Sequence, residues 1–374
     1  MLLKALFWGS LGALAWTHAG YPVAAAALAR LKPRRVRRGD ATPSVSLIVA
    51  AHNEEPVIRA KLENLLALDY PAEKLEVVVA SDASTDRTEQ IVEEVADAEP
   101  RLRLLRCPRA GKVAAQNRAF EETDGEIVAF SDANSIWRPD ALRRLVSNFG
   151  DPDVAYVCGR LAFESTNGAN REGVYWRYEL WLREQESNVG SITAGNGAIY
   201  AVRRSDYVVE HRFGHDLGFP YAMVQRGRRA VYDSAAIAVE RPADQPEDEF
   251  GRKVRIHARV WGHILTGRIL RPTDPLYMAQ LASHRLLRYS SGVLHLVLLG
   301  SSIALVDRGD VYRAALAAQL GFLALAAAGR MRLRAPGANL AYYYVLVTAA
   351  TTLGLVRYLR SGTPLTWEQA KGTR

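Results

Sequence analysis

The sequence predicts an α/β protein with a mostly parallel sheet, set between apolar segments that cross a membrane. Three observations lead there. Between residues 41 and 270, short apolar runs of strand type alternate with runs of helical period. Residues 1–29 contain no acidic side chain and only Lys4 and His18 as basic ones. Three further apolar stretches, 290–306, 312–329 and 339–356, come after the central region.

The first segment is long enough to span a bilayer, which takes roughly 20 apolar residues. A cleaved signal peptide would also begin with such a run. A retained anchor fits better, because the run is long and Lys32, Arg34, Arg35, Arg37 and Arg38 follow it. Basic clusters beside a span mark the cytoplasmic side, so the juxtamembrane linker 30–43 is expected there. Residues 44–51 (SVSLIVAA) form a strand, and 55–68 places Val57, Ile58, Leu62, Leu65 and Leu66 at helical spacing. Residues 75–80 (LEVVVA) form a second strand, followed by a helix over 85–95 with Ser84 as its cap. A strand at 101–106, a helix at 112–122 and a strand at 126–130 complete the regular half. Such alternation implies right-handed crossovers and parallel strands. Past Asp151 the pattern loosens, with an amphipathic helix over 175–187 and a strand over 198–202. The α/β domain is expected to cover 44–270, with an interfacial segment 271–289, membrane helices within 290–360 and a tail 361–374. Arg330, Arg332 and Arg334 put the loop after the second C-terminal span on the cytoplasmic side. Three C-terminal spans would then carry the tail outside. Yet Arg357, Arg360, Lys371 and Arg374 make the last segment basic, so the span count stays open.

The chain has 374 residues, 49% hydrophobic and 24% charged, which excludes a disordered chain. Its charge of +8 and pI near 9.5 admit anionic lipid, nucleic acid or phosphate-bearing substrates. No zinc-finger, basic-zipper or RNA-binding signature supports nucleic acid. Cys107 and Cys158 are the only cysteines, and neither lies in a CxxC, so no disulfide framework is expected.

In a parallel sheet, ligands bind at the carboxyl ends of the strands. Here those ends read His52-Asn53-Glu54-Glu55, Ser81-Asp82-Ala83-Ser84-Thr85-Asp86 and Asp132-Ala133-Asn134. Each alone is an ordinary turn. Together they place three polar clusters on one edge. In an extended segment Asp132 and Asn134, two residues apart, share a side, as ligands of a hard cation would. No GxGxxG follows the first strand and no GxxxxGK[ST] occurs, which disfavours dinucleotide oxidoreductases and P-loop NTPases.

The ordered pieces "SLIVAAHNEE", "VVVASDASTDRT", "RAGKVAAQNRAF", "IVAFSDAN", "AGNGAIYAVRR", "GHDLGFP" and "RKVRIHAR" resemble a membrane-embedded family 2 glycosyltransferase with a GT-A fold. The resemblance covers about residues 44–265. It implies that His52 and Glu54 border the base and ribose of a nucleotide sugar, and that Asp82 binds the uracil or ribose of a UDP-sugar. It puts Lys112 near the nucleotide. Asp132 and Asn134 take the family's DxD position, around a divalent Mg²⁺ or Mn²⁺ and the diphosphate. Gly195-Asn196-Gly197 lines the acceptor side, Asp216 is the catalytic base, and Arg252 and Arg255 match the first and fourth positions of the QxxRW motif. Two positions depart from the pattern. Asn134 is neutral where the second Asp would stand. Ile256 replaces the Trp that stacks near the acceptor sugar in processive relatives.

The resemblance thus implies an inverting transferase. It would move a sugar from a nucleotide donor, UDP-linked, to a lipid or polysaccharide acceptor at the cytoplasmic membrane face. A catalytically silent subunit that binds nucleotide or lipid in a glycan-assembly complex is the alternative. The joint presence of Asp132, Asp216 and Arg255 favours the enzyme. His215 is open to three roles: a metal ligand, a support that orients its neighbouring carboxylate, or a solvated side chain.

Overall fold

The carboxyl edge identified in the sequence exists because three parallel strands run side by side. The structure is a computed structural model and describes residues 1–163, 173–209, 214–241, 246–267, 274–333 and 335–362. Arg334 and the tail from residue 363, with Lys371 and Arg374, lie outside the described residues, as does the predicted boundary at 270. The chain divides into two units, one built on residues 28–245 with 272–277, the other on 1–27, 246–271 and 278–364. The helix Pro246–Leu265, read from the sequence as part of the α/β domain, thus groups with the helical unit.

The first unit is an α/β layer structure. Its strands are β1 (Val45–Ala51), β2 (Leu75–Asp82), β3 (Leu102–Cys107), β4 (Ile127–Asp132), β5 (Ile136–Trp137), β6 (Val154–Phe163), β7 (Ile199–Arg203) and β8 (Arg229–Glu240). They form one eight-stranded sheet in the order β3-β2-β1-β4-β7-β6-β8-β5. β3, β2, β1 and β4 are mutually parallel, and β7 runs antiparallel to β4. Every residue of β1 is buried, as expected of a strand covered on both faces. Period-two alternation sends Leu47, Val49, Val77 and Val79 into one core with the helix Ile58–Leu66. Ile48, Ala50, Val78 and Phe130 enter the other, with the helix Lys112–Glu121. Full burial of each Val, Leu, Ile or Phe among them contributes about 1.5–3 kcal/mol.

The register aligns the chemistry. Ala50 pairs with Asp132, Ala51 with Ser81, and Asp82 with Cys107, so the ends of β1, β2 and β4 are level. Because β7 is antiparallel, with Ile199 opposite Ser131, the loop before β7 reaches the same edge.

Two local expectations change. The first helix begins at Ile58 rather than 55, because residues 52–55 are tied to the loop after β2. Ser84 does not cap the next helix, Thr88–Ala96; its hydroxyl receives Asn53 N, and Asp86 Oδ1 accepts from Thr88 N at 3.0 Å instead.

Residues 2–31 form a helical run interrupted by a π turn at Trp16–Gly20, and its part up to residue 27 belongs to the helical unit. Phe7 packs edge-on against Tyr312, with ring centres 4.8 Å apart, and His18 Nε2 lies 2.9 Å from Tyr344 Oη. The three predicted C-terminal stretches correspond to helices Ser291–Ala304, Asp310–Arg330 and Ala338–Ser361. The last two are each long and apolar enough to cross a membrane. The first bends by 62° against Pro275–Tyr289, and among the described residues the count rises to three if that pair is one broken span. Helix Pro246–Leu265 packs on Ala338–Ser361, where Trp261 Nε1 donates to Thr351 O at 2.9 Å.

Candidate active site

The loops after β1 and β2 are joined to each other. Asn53 adopts a left-handed φ of 55°, and its Oδ1 accepts from Thr85 N at 2.7 Å. Glu54 is buried, and its N–H donates to Thr88 Oγ1 at 2.7 Å. Glu55 N donates to Asp86 Oδ2, and Arg87 N donates back to Glu55 Oε2, both at 3.1 Å. Burial pushes the Asp86 carboxyl up, but hydrogen bonds from Thr88 and Glu55 hold it below the usual carboxylate range. Ala83 is also left-handed, at φ 53°. Non-glycine residues in that region cost about 1–3 kcal/mol each and cluster at ligand sites. His52, half-buried, and Glu54 therefore sit on a braced edge.

Asp82 ends β2 and is buried. Its Oδ1 accepts from Ala110 N at 2.7 Å and Gly111 N at 2.9 Å, and Arg109 pairs with Oδ2. Gly111 takes φ 95°, a conformation open to glycine, and opens the helix that starts at Lys112. Asp82 therefore shapes the Arg109–Lys112 turn. Arg109 and Gly111 are site-forming residues that sequence reasoning passed over, although the "RAGK" run signalled a tight turn before a helix.

Asp132 is the last residue of β4, and its carboxylate forms an ion pair with the Lys112 ammonium. Gly197 approaches both: a Cβ there would lie 3.0 Å from Lys112 Nζ and 3.4 Å from Asp132 Oδ2. The strand ends at Asp132, and Ser135 N turns back to Asp132 O, so Asn134 sits in a turn. Strand alternation thus does not by itself place Asn134 beside Asp132. The turn is pinned from behind. Ser131 Oγ, Ser135 Oγ and Trp137 Nε1 all donate to Ala198 O, at 3.2, 3.1 and 3.0 Å. Fully buried Lys61 donates to Ser135 O, and burial lowers its pKa to about 7.

Among the described residues, no three His, Cys, Asp or Glu side chains gather to hold a metal ion. A divalent cation here would draw on one carboxylate, Asp132, with the Asn134 amide oxygen available in the adjoining turn. That set fits an ion of Mg²⁺ type, which is commonly held by one or two carboxylates, substrate phosphates and water.

The loop before β7 links this edge to Asp216. Asn196 is buried; its Oδ1 accepts from Ala198 N and Ile199 N, both at 3.0 Å. Its Nδ2 donates to Gly159 O at 2.8 Å and Cys158 Sγ at 3.2 Å. With both donors and both acceptors engaged, Asn196 builds the loop, and its side chain has nothing left to offer a substrate. Gly195 N donates to Asp216 O at 2.6 Å. Asp216 is exposed, in the first turn of the helix His215–Gln225. Its Oδ1 folds back towards Gly214, 2.5 Å from where a Cβ on that glycine would sit.

His215 is buried, with its ring stacked on Phe219 at 4.2 Å and edge-on to Tyr207 and Phe130. Its Nδ1 lies 2.7 Å from Tyr200 Oη, which accepts from Gln116 Nε2 at 3.2 Å. Burial, aided by nearby Lys112, lowers its pKa to about 3. His215 is thus a neutral core group behind Asp216, joined through Tyr200 to the helix that begins with Lys112. Of the predicted residues, His52, Glu54, Asp82, Lys112, Asp132, Asn134, Asn196 and Asp216 all belong to the α/β unit. Arg252 and Arg255 lie, half-buried, on helix Pro246–Leu265 of the helical unit. Ile256 beside them is 43% exposed.

Comparison with known proteins matches this geometry to a family. Residues 46–211 match the profile described as Glycosyl transferase family 2. The chain is 35% identical over 182 residues to a Beta-monoglucosyldiacylglycerol synthase of Synechocystis sp., covering 46% of this chain and 38% of that one. It thus spans less than half the length of that relative. It is 34% identical over 132 residues to an N-acetylglucosaminyltransferase of Bradyrhizobium elkanii, covering 34% of this chain and 72% of that one. In three dimensions it is similar to the mannosyltransferase PcManGT from Pyrobaculum calidifontis, solved with GDP-Man and Mn²⁺. The TM-score is 0.75 at 24% identity, over 96% of this chain and 99% of the other, which establishes a shared fold. The α/β unit has the GT-A fold, and the chain belongs to glycosyl transferase family 2.

Proposed function

We propose that this chain is a metal-dependent, inverting hexosyltransferase. It moves a sugar from a UDP-sugar to a lipid or lipid-linked saccharide acceptor at the cytoplasmic face of the membrane. The observation that carries the reading is the meeting, at one sheet edge, of the Lys112–Asp132 pair, the close approach of Gly197, and the hydrogen bond from Gly195 to Asp216.

In this reading the nucleotide lies along the braced loops 52–55 and 82–88, with His52, Glu54 and Asp82 bordering it. Lys112 moves its charge from Asp132 to the diphosphate. Asp132, with Asn134, would hold a Mg²⁺ or Mn²⁺ ion, which when bound offsets the charge on the departing diphosphate. The acceptor hydroxyl attacks the anomeric carbon from the face opposite the diphosphate. The carbon–oxygen bond to the diphosphate breaks, and its electron pair leaves with the nucleotide. Asp216 accepts the hydroxyl proton, which requires an ionised carboxylate within hydrogen-bond reach. One base and one displacement give inversion. Glycoside hydrolysis would instead pair a carboxylic acid with a carboxylate.

The acceptor class draws support from the helices of membrane length and from the Synechocystis relative, a Beta-monoglucosyldiacylglycerol synthase. The cytoplasmic side draws support from the basic cluster at 32–38.

The test is release of nucleoside diphosphate by the purified chain, with a panel of UDP- and GDP-sugars, with and without Mn²⁺, in lipid. Mn²⁺-dependent release of UDP from one UDP-sugar, with glycolipid formed, is the expected result. Release of GDP alone moves the nucleotide assignment, and no release with any donor rejects the enzyme. An impermeant label that reaches residues 41–245 in intact cells would overturn the cytoplasmic face.

A further inference from the structure

Arg183 lies on the helix Val174–Val189 and is only 5% exposed. Its Nη2 donates to Gly195 O at 3.3 Å, and its guanidinium lies 5.6 Å from the centre of the Tyr232 ring. Among the described residues, its buried Nε and Nη1 have no acceptor and no carboxylate is within ion-pair distance. Two phenols lie beside it. The Tyr232 hydroxyl is buried and has no hydrogen-bond partner among the described residues, and the Tyr156 hydroxyl, also buried, meets only the Cys158 thiol, a weak partner. The Tyr156 hydroxyl faces Gly195 closely: a Cβ on that glycine would lie 2.1 Å from it. Burial raises the pKa of both phenols, so both remain protonated and able to donate. Gly195 is also the residue whose N–H donates to Asp216 O.

A guanidinium and two phenols therefore gather beside the residue that leads to Asp216, and their unused hydrogen-bonding atoms are donors. An uncompensated buried cation is strongly unfavourable. A neutral hydroxyl would leave the guanidinium unpaired; an oxyanion pairs it and accepts from the phenols as well. Glu186, one turn along the same helix, is already engaged, its Oε2 accepting from Thr193 N and Oγ1 at 3.1 and 2.9 Å.

We propose that Arg183, Tyr156 and Tyr232 form an oxyanion subsite that holds a phosphate group on the acceptor. The assignment of the phosphate to the acceptor rests on the reading of Asp216 as the base that activates it. The subsite adds that the favoured acceptor is a phosphate-bearing lipid rather than neutral diacylglycerol.

The full chain, solubilised and saturated with UDP and Mg²⁺, is titrated calorimetrically with sn-glycerol 3-phosphate, glycerol and inorganic phosphate. Glycerol 3-phosphate is expected to bind saturably and glycerol not to bind. Arg183→Gln is expected to weaken that binding at least about tenfold while UDP affinity is unchanged. Inorganic phosphate binding as tightly as glycerol 3-phosphate supports the oxyanion subsite but makes free phosphate, not a lipid headgroup, its source. Absence of glycerol 3-phosphate binding, or equal binding by Arg183→Gln, overturns the subsite and leaves Arg183 a packing group. If Arg183→Gln loses UDP affinity as well, Tyr156→Phe and Tyr232→Phe decide. Weaker glycerol 3-phosphate binding with normal UDP binding supports the subsite, and no change overturns it. A wild-type chain that binds glycerol 3-phosphate but shows no affinity for UDP would reject the UDP-sugar transferase reading and leave the subsite standing.

Discussion

Lys112 and Asp132 form an ion pair across the end of the sheet, one from the first turn of a helix and the other from the last residue of β4. The register of β1 with β4 and the turn held by Asp82 bring them together. The pair sets up a competition, because a diphosphate needs Lys112 and a metal ion needs Asp132.

Asp132→Ala is therefore expected to abolish metal-dependent donor turnover with the fold intact, as read by circular dichroism and UDP release at saturating Mn²⁺. Unchanged turnover would remove Asp132 from the metal–diphosphate site. Asn134→Asp adds a negative charge to the same turn. It is expected to keep activity and to lower the Mn²⁺ concentration needed for half-maximal rate.

Gly195→Ala is expected to destabilise the α/β unit, because the new methyl would meet the buried Tyr156 hydroxyl at 2.1 Å. Overpacking of this kind typically costs about 1–3 kcal/mol. A lowered melting temperature, recovered in part by pairing the change with Tyr156→Phe, is the expected pattern. An unshifted melting temperature would mean that the loop yields freely.

His215 makes the fold acid-sensitive. Its folded pKa of about 3 lies below the ordinary 6.5, so the unfolded chain takes up a proton first as the pH falls. Stability is complete above about 6.5 and is lost progressively as the pH drops towards 3. His215→Gln, measured by thermal unfolding against pH, should show a shallower acid limb than wild type over that window. Parallel curves would contradict a neutral, buried His215.

Much of this arrangement was legible in the sequence. The apolar runs 44–51, 75–80 and 126–130 gave β1, β2 and β4, because strands covered on both faces are continuously apolar. With the strands fixed, the polar clusters at their ends had to share an edge. What was not legible depends on side chains meeting across long separations. Asp82 reads as a ligand-facing carboxylate, yet it receives the main chain of residues 110 and 111. Asn196 reads as a binding residue, yet its amide is used up by Gly159, Cys158, Ala198 and Ile199. Arg183 sits in a run that reads as an ordinary amphipathic helix, and only burial sets it apart. The helix boundaries at Ile58 and Thr88 moved because loops 52–55 and 82–88 bond to each other, which no local propensity encodes.

The central claim is that Asp216 takes the proton from the acceptor while the nucleotide is held elsewhere, and Asp216→Asn tests it most directly. The change preserves shape and removes the ability to accept a proton. Transfer by the full chain in lipid and UDP affinity by calorimetry are measured on the same preparation. Loss of a general base typically lowers the rate by about 10²–10⁴-fold. The account predicts a fall of that size in transfer, with UDP affinity within a few-fold of wild type. Near-normal transfer by Asp216→Asn, or loss of UDP affinity together with transfer, would contradict it.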